Sequence, residues 1–258
     1  MLFPKISIII PSYNQGCFIE STIKSIINNG YDNYELIIID GGSSDNTCEI
    51  INKYSSYIKY WVSEPDSGQS YAINKGFSLA AGDVFCWLNS DDVLCPGTFS
   101  KVAHVFEDEK IMWSTGNCEV INEYDETTDY YYAEIPKDAK SWINVLIRGY
   151  SYSFLQPSTF WRNSVVKLIG NLNETLQYSF DHEFFLRILM HYHPFTINEN
   201  LSKFRIHDKS KTSSSSLKFI AENRRIAFMH LKSFSFREQI YFYLVFIKTR
   251  FIQWVKFR

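Results

Sequence analysis

Gly82-Asp83-Val84-Phe85-Cys86-Trp87-Leu88-Asn89-Ser90-Asp91-Asp92-Val93-Leu94-Cys95-Pro96 sets two adjacent carboxylates directly after a short apolar run. Residues 84–88 are rich in β-formers and have a turn signal on each side, so they read as a buried strand. The acids then lie just beyond the strand's carboxyl end, the edge where open α/β sheets bind ligands. Neighbouring carboxylates repel unless a cation or hydrogen-bond donors offset them. Oxygen ligands of this kind suit Mg²⁺ or Mn²⁺, ions commonly shared with substrate phosphates. The competing reading is an Asx turn that enters a helix, with Asp91 or Asp92 as its cap. This stretch alone does not choose between them.

The chain before it repeats the same grammar. Residues 5–11 read as a strand ended by Pro11, and 18–29 as a helix with Ile19, Ile23, Ile26 and Ile27 on one face and Asn29-Gly30 as its stop. A second strand, 34–39, ends in Asp40, and a helix over 47–54 comes next. A third strand, 57–62, leads to a loop that holds Asp66, and a helix over 69–80 closes at Gly82. Strands that alternate with helices imply a mostly parallel sheet with right-handed crossovers. Asp40, Asp66, Asp91 and Asp92 should therefore collect along one edge. The first strand is followed by Pro11-Ser12-Tyr13-Asn14, which is no dinucleotide fingerprint, and no Walker A motif is present. A mononucleotide held among the acids fits better.

Composition bounds the rest. At 258 residues the chain is one large domain, or one domain with an appendage. The net charge of −2 gives no global sign of a nucleic-acid partner. Cys17, Cys48, Cys86, Cys95 and Cys118 are odd in number and lack C-x-x-C spacing, which argues against a disulfide framework or zinc site and for a reducing, cytoplasmic setting. Met1 is followed closely by Pro4 and Lys5, a start that resembles neither a signal peptide nor a spanning helix.

Five pieces, in order, resemble glycosyltransferase family 2 on the GT-A fold: Ile8-Ile9-Ile10-Pro11-Ser12-Tyr13-Asn14, Ile39-Asp40-Gly41-Gly42-Ser43-Ser44-Asp45, Glu64-Pro65-Asp66-Ser67-Gly68-Gln69, Ala72-Ile73-Asn74-Lys75-Gly76, and Ala81-Gly82-Asp83 with Leu88-Asn89-Ser90-Asp91-Asp92. Each is weak alone; their order and spacing are specific. They are most similar to bacterial enzymes that build O-antigen or capsule polysaccharide. The resemblance implies a GT-A domain over 1–212, with a nucleotide-sugar-binding half (1–110) and an acceptor half (111–212), and a C-terminal helical tail over 213–258. It implies that Pro11, Ser12, Tyr13, Asn14 and Asp40 hold the base of a nucleotide-sugar, foremost a UDP-sugar, and that Asp66 and Gly68 lie beside the base or ribose. The family's D-x-D element falls on Ser90-Asp91-Asp92, with Ser at its first position. Asp91 would then take the ribose or sugar side and Asp92 the metal, Mn²⁺ or Mg²⁺. Lys75 is either a phosphate contact or a solvated helix charge, and Asp40 and Asp66 are otherwise ordinary turn residues.

Later segments extend the resemblance. Gln156-Pro157-Ser158-Thr159-Phe160-Trp161 is similar to the strand after the acceptor loop, where Gln156 would face the site; a strand that merely closes the core reads equally well. Asp181 and Glu183 open a helix with an apolar face at Phe184, Phe185, Ile188 and Leu189. By itself Asp181 reads as a helix cap, favoured there by the dipole; by resemblance it is the catalytic base. Arg205-Ile206-His207-Asp208-Lys209-Ser210-Lys211 matches an ending in which His207 completes the metal shell and Lys211 approaches the diphosphate. The tail mixes Ile240–Ile247, an apolar run too short to span a bilayer, with Lys248, Arg250, Lys256 and Arg258. It suits an interfacial helix on the inner face of the cell membrane, or a helix packed on the domain or a second subunit. The function expected is inverting transfer of a sugar to a glycan or lipid-linked acceptor. The rivals are a nucleotide-sugar-binding protein without activity and a sugar-phosphate nucleotidyltransferase, which would need a Gly-rich, Arg-bearing loop after the first strand.

Overall fold

Strand β1 (Ile6–Ser12) is buried along its whole length, as a near-continuous apolar run in a sheet covered on both faces must be. The computed structural model describes residues 3–149, 154–208 and 216–256. β1 pairs in parallel with β2 (Tyr34–Asp40) on one side and β4 (Val84–Trp87) on the other, and β2 pairs in parallel with β3 (Tyr60–Ser63). The connecting helices are α1 (Ile19–Ile27), α2 (Thr47–Lys53) and α3 (Gln69–Leu79). This half has the expected alternation. The third strand, expected over 57–62, starts at Tyr60, because a short 3-10 turn over residues 55–57 takes up Tyr57.

The second half is mixed. It comprises β5 (Val93–Leu94), α4 (Thr98–Val105), β6 (Trp113–Ile121), β7 (Thr127–Tyr131), α5 (Ala139–Arg148), β8 (Thr159–Arg162), α6 (Asn163–Ile169), α7 (Phe180–Leu189) and β9 (Phe195–Arg205). The sheet order is β3-β2-β1-β4-β8-β6-β9-β5, with β7 on β6. β8 runs antiparallel to β4 and β6, while β6 and β9 are parallel. β9 is one long strand whose pairing with β6 shifts register opposite Gly116 to Cys118. The polar, tyrosine-rich β7 is exposed along its whole length. Helix α5 starts after Asp138, whose carboxylate accepts the Ser141 N–H at 2.7 Å and caps it. Helices α8 (Ser216–His230) and α9 (Phe236–Lys256) end the chain.

Strand alternation divides the core. Phe85 and Trp87 of β4 face an aromatic layer with Trp113, Trp161, Phe184 and Phe185, whereas Val84 and Cys86 face an aliphatic layer with α1 and α4. Trp87 lies parallel to Phe185, centroids 5.7 Å apart, and meets Trp161 edge-on at 5.2 Å. These contacts seat α7 against the sheet and explain the high aromatic content. Helix α3 approaches β1 closely through Gly76; a Cβ there would lie 2.3 Å from Ile9 Cγ2. At the far end of the strands Glu35 is buried, yet it accepts from Ser7 Oγ at 2.6 Å and pairs with Lys5 and Lys59 at 2.6 and 2.5 Å. Burial opposes its charge, but those two ammonium groups, Ser7 and the Ala81 N–H hold its carboxyl down at about 2.

Candidate active site

The carboxyl ends of β1 to β4 and the end of β9 enclose a cavity of about 740 Å³. Each parallel strand delivers residues from its carboxyl end: Ser12 and Tyr13 at β1, Gly41 after β2, Asp66 and Gly68 after β3, Ser90 and Asp91 after β4. His207, just beyond β9, closes the opposite wall. The convergence of acids at one edge is therefore real for Asp66 and Asp91. The Ser12 hydroxyl is buried and has no hydrogen-bond partner among the described residues, which suits a polar ligand in the cavity beside it.

Asp40 stands behind the wall and not in it. It is fully buried, and its oxygens accept from Ser43 N at 2.8 Å, Ser63 Oγ at 2.6 Å and Ser43 Oγ at 2.6 Å. Its carboxylate folds the 41–43 loop and so presents Gly41 to the cavity. Asn14, with φ 52°, also acts on that loop: its Oδ1 accepts the Ser44 N–H at 2.9 Å, and its own N–H donates to Ser43 Oγ at 2.7 Å. Neither side chain lines the cavity. Asp66 does, and its Oδ1 accepts the Gly68 N–H at 2.8 Å. Burial raises its pKa, a rise the Gly68 bond only partly offsets. Gly68, at φ 124°, turns the chain into α3, whose first turn supplies Gln69 to the wall.

Of the two adjacent acids, Asp91 faces the cavity and Asp92 does not. Asp92, expected as the metal ligand, is 1% exposed and turned into the protein. There it accepts the Arg205 N–H at 3.0 Å and the Asn89 Nδ2 at 3.1 Å. Burial and the charge of Asp91 push its carboxyl well above the usual range. Asp91 faces the cavity, with Oδ2 3.1 Å from His207 Nε2. The His207 ring lies on Phe18, centroids 4.7 Å apart. Arg205, given no role by the sequence, organises this corner. Its guanidinium is buried, donates to the Asp91 carbonyl at 2.8 Å and to Asp125 at 2.6 Å, and sits 4.9 Å over Phe18.

Other expected residues are set back. Lys75 pairs with Glu64 and is only partly exposed, and it does not line the cavity. Gln156 is buried, donates to the Trp87 carbonyl at 2.7 Å and accepts from Asn89 Nδ2 at 3.1 Å. Asn89 Oδ1 accepts from Gln69 Nε2 at 2.7 Å, so Gln156 supports the wall through Asn89. Lys211 lies outside the described residues. Asp181 is in the first turn of α7, but Ser179, not Asp181, is the cap position. The Asp181 Oδ1 accepts its neighbour's N–H, from His182 at 2.8 Å, and it does not line the cavity. Its segment reaches the rim at Gly68, where an added Cβ would be 3.9 Å from Gln177 Oε1.

No group of three or more His, Cys, Asp or Glu side chains fit to hold a metal occurs among the described residues. One carboxylate and one imidazole facing a cavity still fit a divalent ion whose other ligands are phosphate oxygens and water, the usual arrangement for Mg²⁺.

Comparison with known proteins agrees with this geometry. The family model described as Glycosyl transferase family 2 matches residues 7–160. An uncharacterized glycosyltransferase of Rickettsia typhi is 27% identical over 240 residues, 92% of this chain and 74% of the relative. Among solved structures, S. aureus TarS 1-349 in complex with UDP-GlcNAc superposes with a TM-score of 0.71 at 17% identity, over 96% of this chain and 72% of that one. The mannosyltransferase PcManGT from Pyrobaculum calidifontis, in complex with GDP-Man and Mn²⁺, gives 0.61 at 13% identity, over 92% and 78%. At these identities the structural likenesses establish the GT-A fold.

Proposed function

We propose, from the premise that this chain belongs to glycosyl transferase family 2, that it moves a sugar from a UDP-sugar to a hydroxyl of a glycan or lipid-linked acceptor with inversion at the anomeric carbon. The observation that carries this reading is the pairing of Asp91 with His207 across a cavity built on the carboxyl edge of four parallel strands. Support for a uridine donor comes from the TarS neighbour, whose structure holds UDP-GlcNAc. The base would lie against Pro11, Ser12 and Tyr13, with Asp66 and Gly68 beside the ribose. The amino end of α3 borders the cavity through Gly68 and Gln69, and a helix amino terminus would favour a diphosphate there.

Asp91 and His207 would hold Mn²⁺ or Mg²⁺, which when bound offsets charge on the leaving diphosphate. The chain's own chemistry is a single displacement. The acceptor oxygen attacks the anomeric carbon, the bond to the diphosphate breaks, and the acceptor's proton passes to the Asp181 carboxylate. No covalent enzyme intermediate is needed, so no nucleophile is required of the chain. The test is UDP release and thermal stabilisation with UDP-, GDP- and dTDP-sugars, with and without Mn²⁺. Metal-dependent stabilisation by a UDP-sugar is expected; stabilisation by GDP-sugars alone overturns the donor reading.

The tail belongs to the same proposal. Phe242 of α9 is buried in one core cluster with Trp142 and Leu146 of α5, and Glu238 pairs with Lys140 at 3.0 Å, so one face of the helix packs on the domain. Ile240, Leu244, Ile247 and Phe251 recur at helical spacing on an exposed stripe, with Lys248 and Arg250 also exposed. No described helix is long and apolar enough to cross a membrane. A half-packed helix with an apolar stripe and flanking cations suits an anionic membrane surface, on which a lipid-linked acceptor would lie. Anchoring of this kind would set the enzyme at the cytoplasmic face, in the synthesis of cell-surface polysaccharide such as O-antigen or capsule.

A further inference from the structure

Asp181 carries the proton in the proposed reaction, yet no side chain holds its carboxylate among the hydrogen bonds of the described residues; the one bond it accepts is from the adjacent His182 N–H. Its place is therefore set by the backbone on either side of it. That backbone is held from α8. The Glu222 Oε1 accepts the Gln177 N–H, and its Oε2 accepts the Tyr178 and Ser179 N–H groups, all at 2.7 Å. Three consecutive amides converge on one carboxylate, a nest closed by a side chain of the same molecule. Ser179 occupies the cap position of α7, but its buried hydroxyl makes no bond among the described residues, so the chain entering the helix is held by Glu222.

The contact continues along α8. The buried Asn223 places Oδ1 3.0 Å from His182 Nδ1, and His230 Nε2 lies 3.0 Å from Glu183 Oε1. Glu183 is in turn gripped by Arg187 at 2.9 Å. Residues 182 and 183 come directly after Asp181, so α8 fixes the chain on both sides of it while leaving its carboxylate open. The segment also abuts the cavity rim through Gln177 and Gly68.

We propose that Glu222 is a positioning residue for the Asp181 carboxylate, acting through the amides of residues 177–179. The inference rests on the reading of Asp181 as the base. A structural prop elsewhere in the fold would alter stability alone; this clamp sets a distance to the acceptor oxygen, and a misplacement of about 1 Å costs up to ~10²-fold in rate.

The test uses the full chain with Mn²⁺. UDP release is measured from UDP-GlcNAc, UDP-glucose and UDP-galactose, with water as acceptor, for the parent, Asp181→Asn, Glu222→Ala and Glu222→Gln, alongside hydrogen exchange at amides 177–179. Glu222→Ala is expected to lower kcat at least ~10-fold with donor KM within about twofold, and to speed exchange at those amides. Glu222→Gln keeps one accepting oxygen and is expected to recover most of kcat. Parent-like kcat in Glu222→Ala, with Asp181→Asn inactive, overturns the clamp and leaves the base reading standing. Parent-like kcat in Asp181→Asn, or no UDP release by the parent chain, overturns the base reading and this inference with it. Should Glu222→Ala fail to fold, Glu222→Gln decides: freed amides at 177–179 with unchanged kcat refute the clamp.

Discussion

Gly76→Ala tests whether the close seat of α3 on β1 shapes the donor cavity. The new Cβ would stand 2.3 Å from Ile9 Cγ2 and 2.9 Å from Cγ1, against an ordinary carbon–carbon contact of about 3.5–4.0 Å. Ile9 is fully buried in the aromatic layer, so the helix must lift by about an ångström or the isoleucine must leave its rotamer. Overpacking of this kind costs roughly 1–3 kcal/mol. Replacing glycine in a helix interior returns about 0.5–1 kcal/mol. The net expectation is a loss of about 1–2 kcal/mol, or roughly 2–8 °C in Tm for a chain of this size. The same shift moves Gln69 and Gly68 at the cavity wall, so donor affinity should fall together with Tm. Differential scanning calorimetry and UDP titration read the two effects. Pairing Gly76→Ala with Ile9→Ala removes both offending carbons, and the double variant should cost at least about 1 kcal/mol less than the sum of the singles. A Gly76→Ala chain as stable as its parent, or strict additivity in the double variant, would refute the packing argument.

Other outcomes are expected. Asp181→Asn should lower turnover by about 10²-fold or more while leaving UDP-sugar stabilisation in place, measured by UDP release and thermal shift on one preparation. Asp91→Ala should remove the Mn²⁺-dependent part of donor binding, whereas Asp92→Ala should chiefly lower Tm, since it leaves the Arg205 N–H and the Asn89 amide without their acceptor at about 1–3 kcal/mol each; the reverse pattern in a metal titration would restore Asp92 as the ligand. Glu35, held at about 2 instead of 4.5, contributes stability that is complete above about pH 4.5 and is lost as pH falls toward 2. The amount is on the order of 2 kcal/mol once solvent screening at half-exposed Lys59 is allowed for. Glu35→Gln should accordingly flatten the fall of Tm between pH 6 and 3, and a parallel fall in both chains would contradict it. Leu244→Glu with Ile247→Glu should abolish sedimentation with phosphatidylglycerol vesicles at unchanged Tm; retained binding would exclude α9 as the anchor.

The parallel half was legible because each strand there is a single apolar run that ends in a turn signal, and each helix has one clear face. The later half was not, since β7 carries no buried residue to betray it and β9 changes register midway. Pattern alone sees a polar loop and two fragments. In the site, position after a strand was enough to bring Asp66 and Asp91 to one edge, where the structure has both lining one cavity. It could not say which of two successive carboxylates faces out. That choice depends on the Arg205 backbone, which captures Asp92 from 113 positions away. Arg205 itself was missed because a buried arginine bonded mainly to carbonyls leaves no spacing signal. Asp181 reads as a cap because it is the first acid of its helix, whereas the cap position is Ser179, two residues earlier.

Strand order also governs when the site exists. Asp91 meets His207 across 116 positions of sequence, and the β5 segment next to it is fixed by pairing with β9. During synthesis the amino-terminal half emerges first and is able to lay down β1 to β4 early. The cavity's second wall arrives only after β9 and His207 have emerged. Loop closure over that length is slow and entropically costly. Donor captured by the finished cavity then stabilises the late pairing by mass action. Nucleotide availability would thus govern maturation yield as well as turnover, and translation products cut short of His207 would lack the wall that meets Asp91.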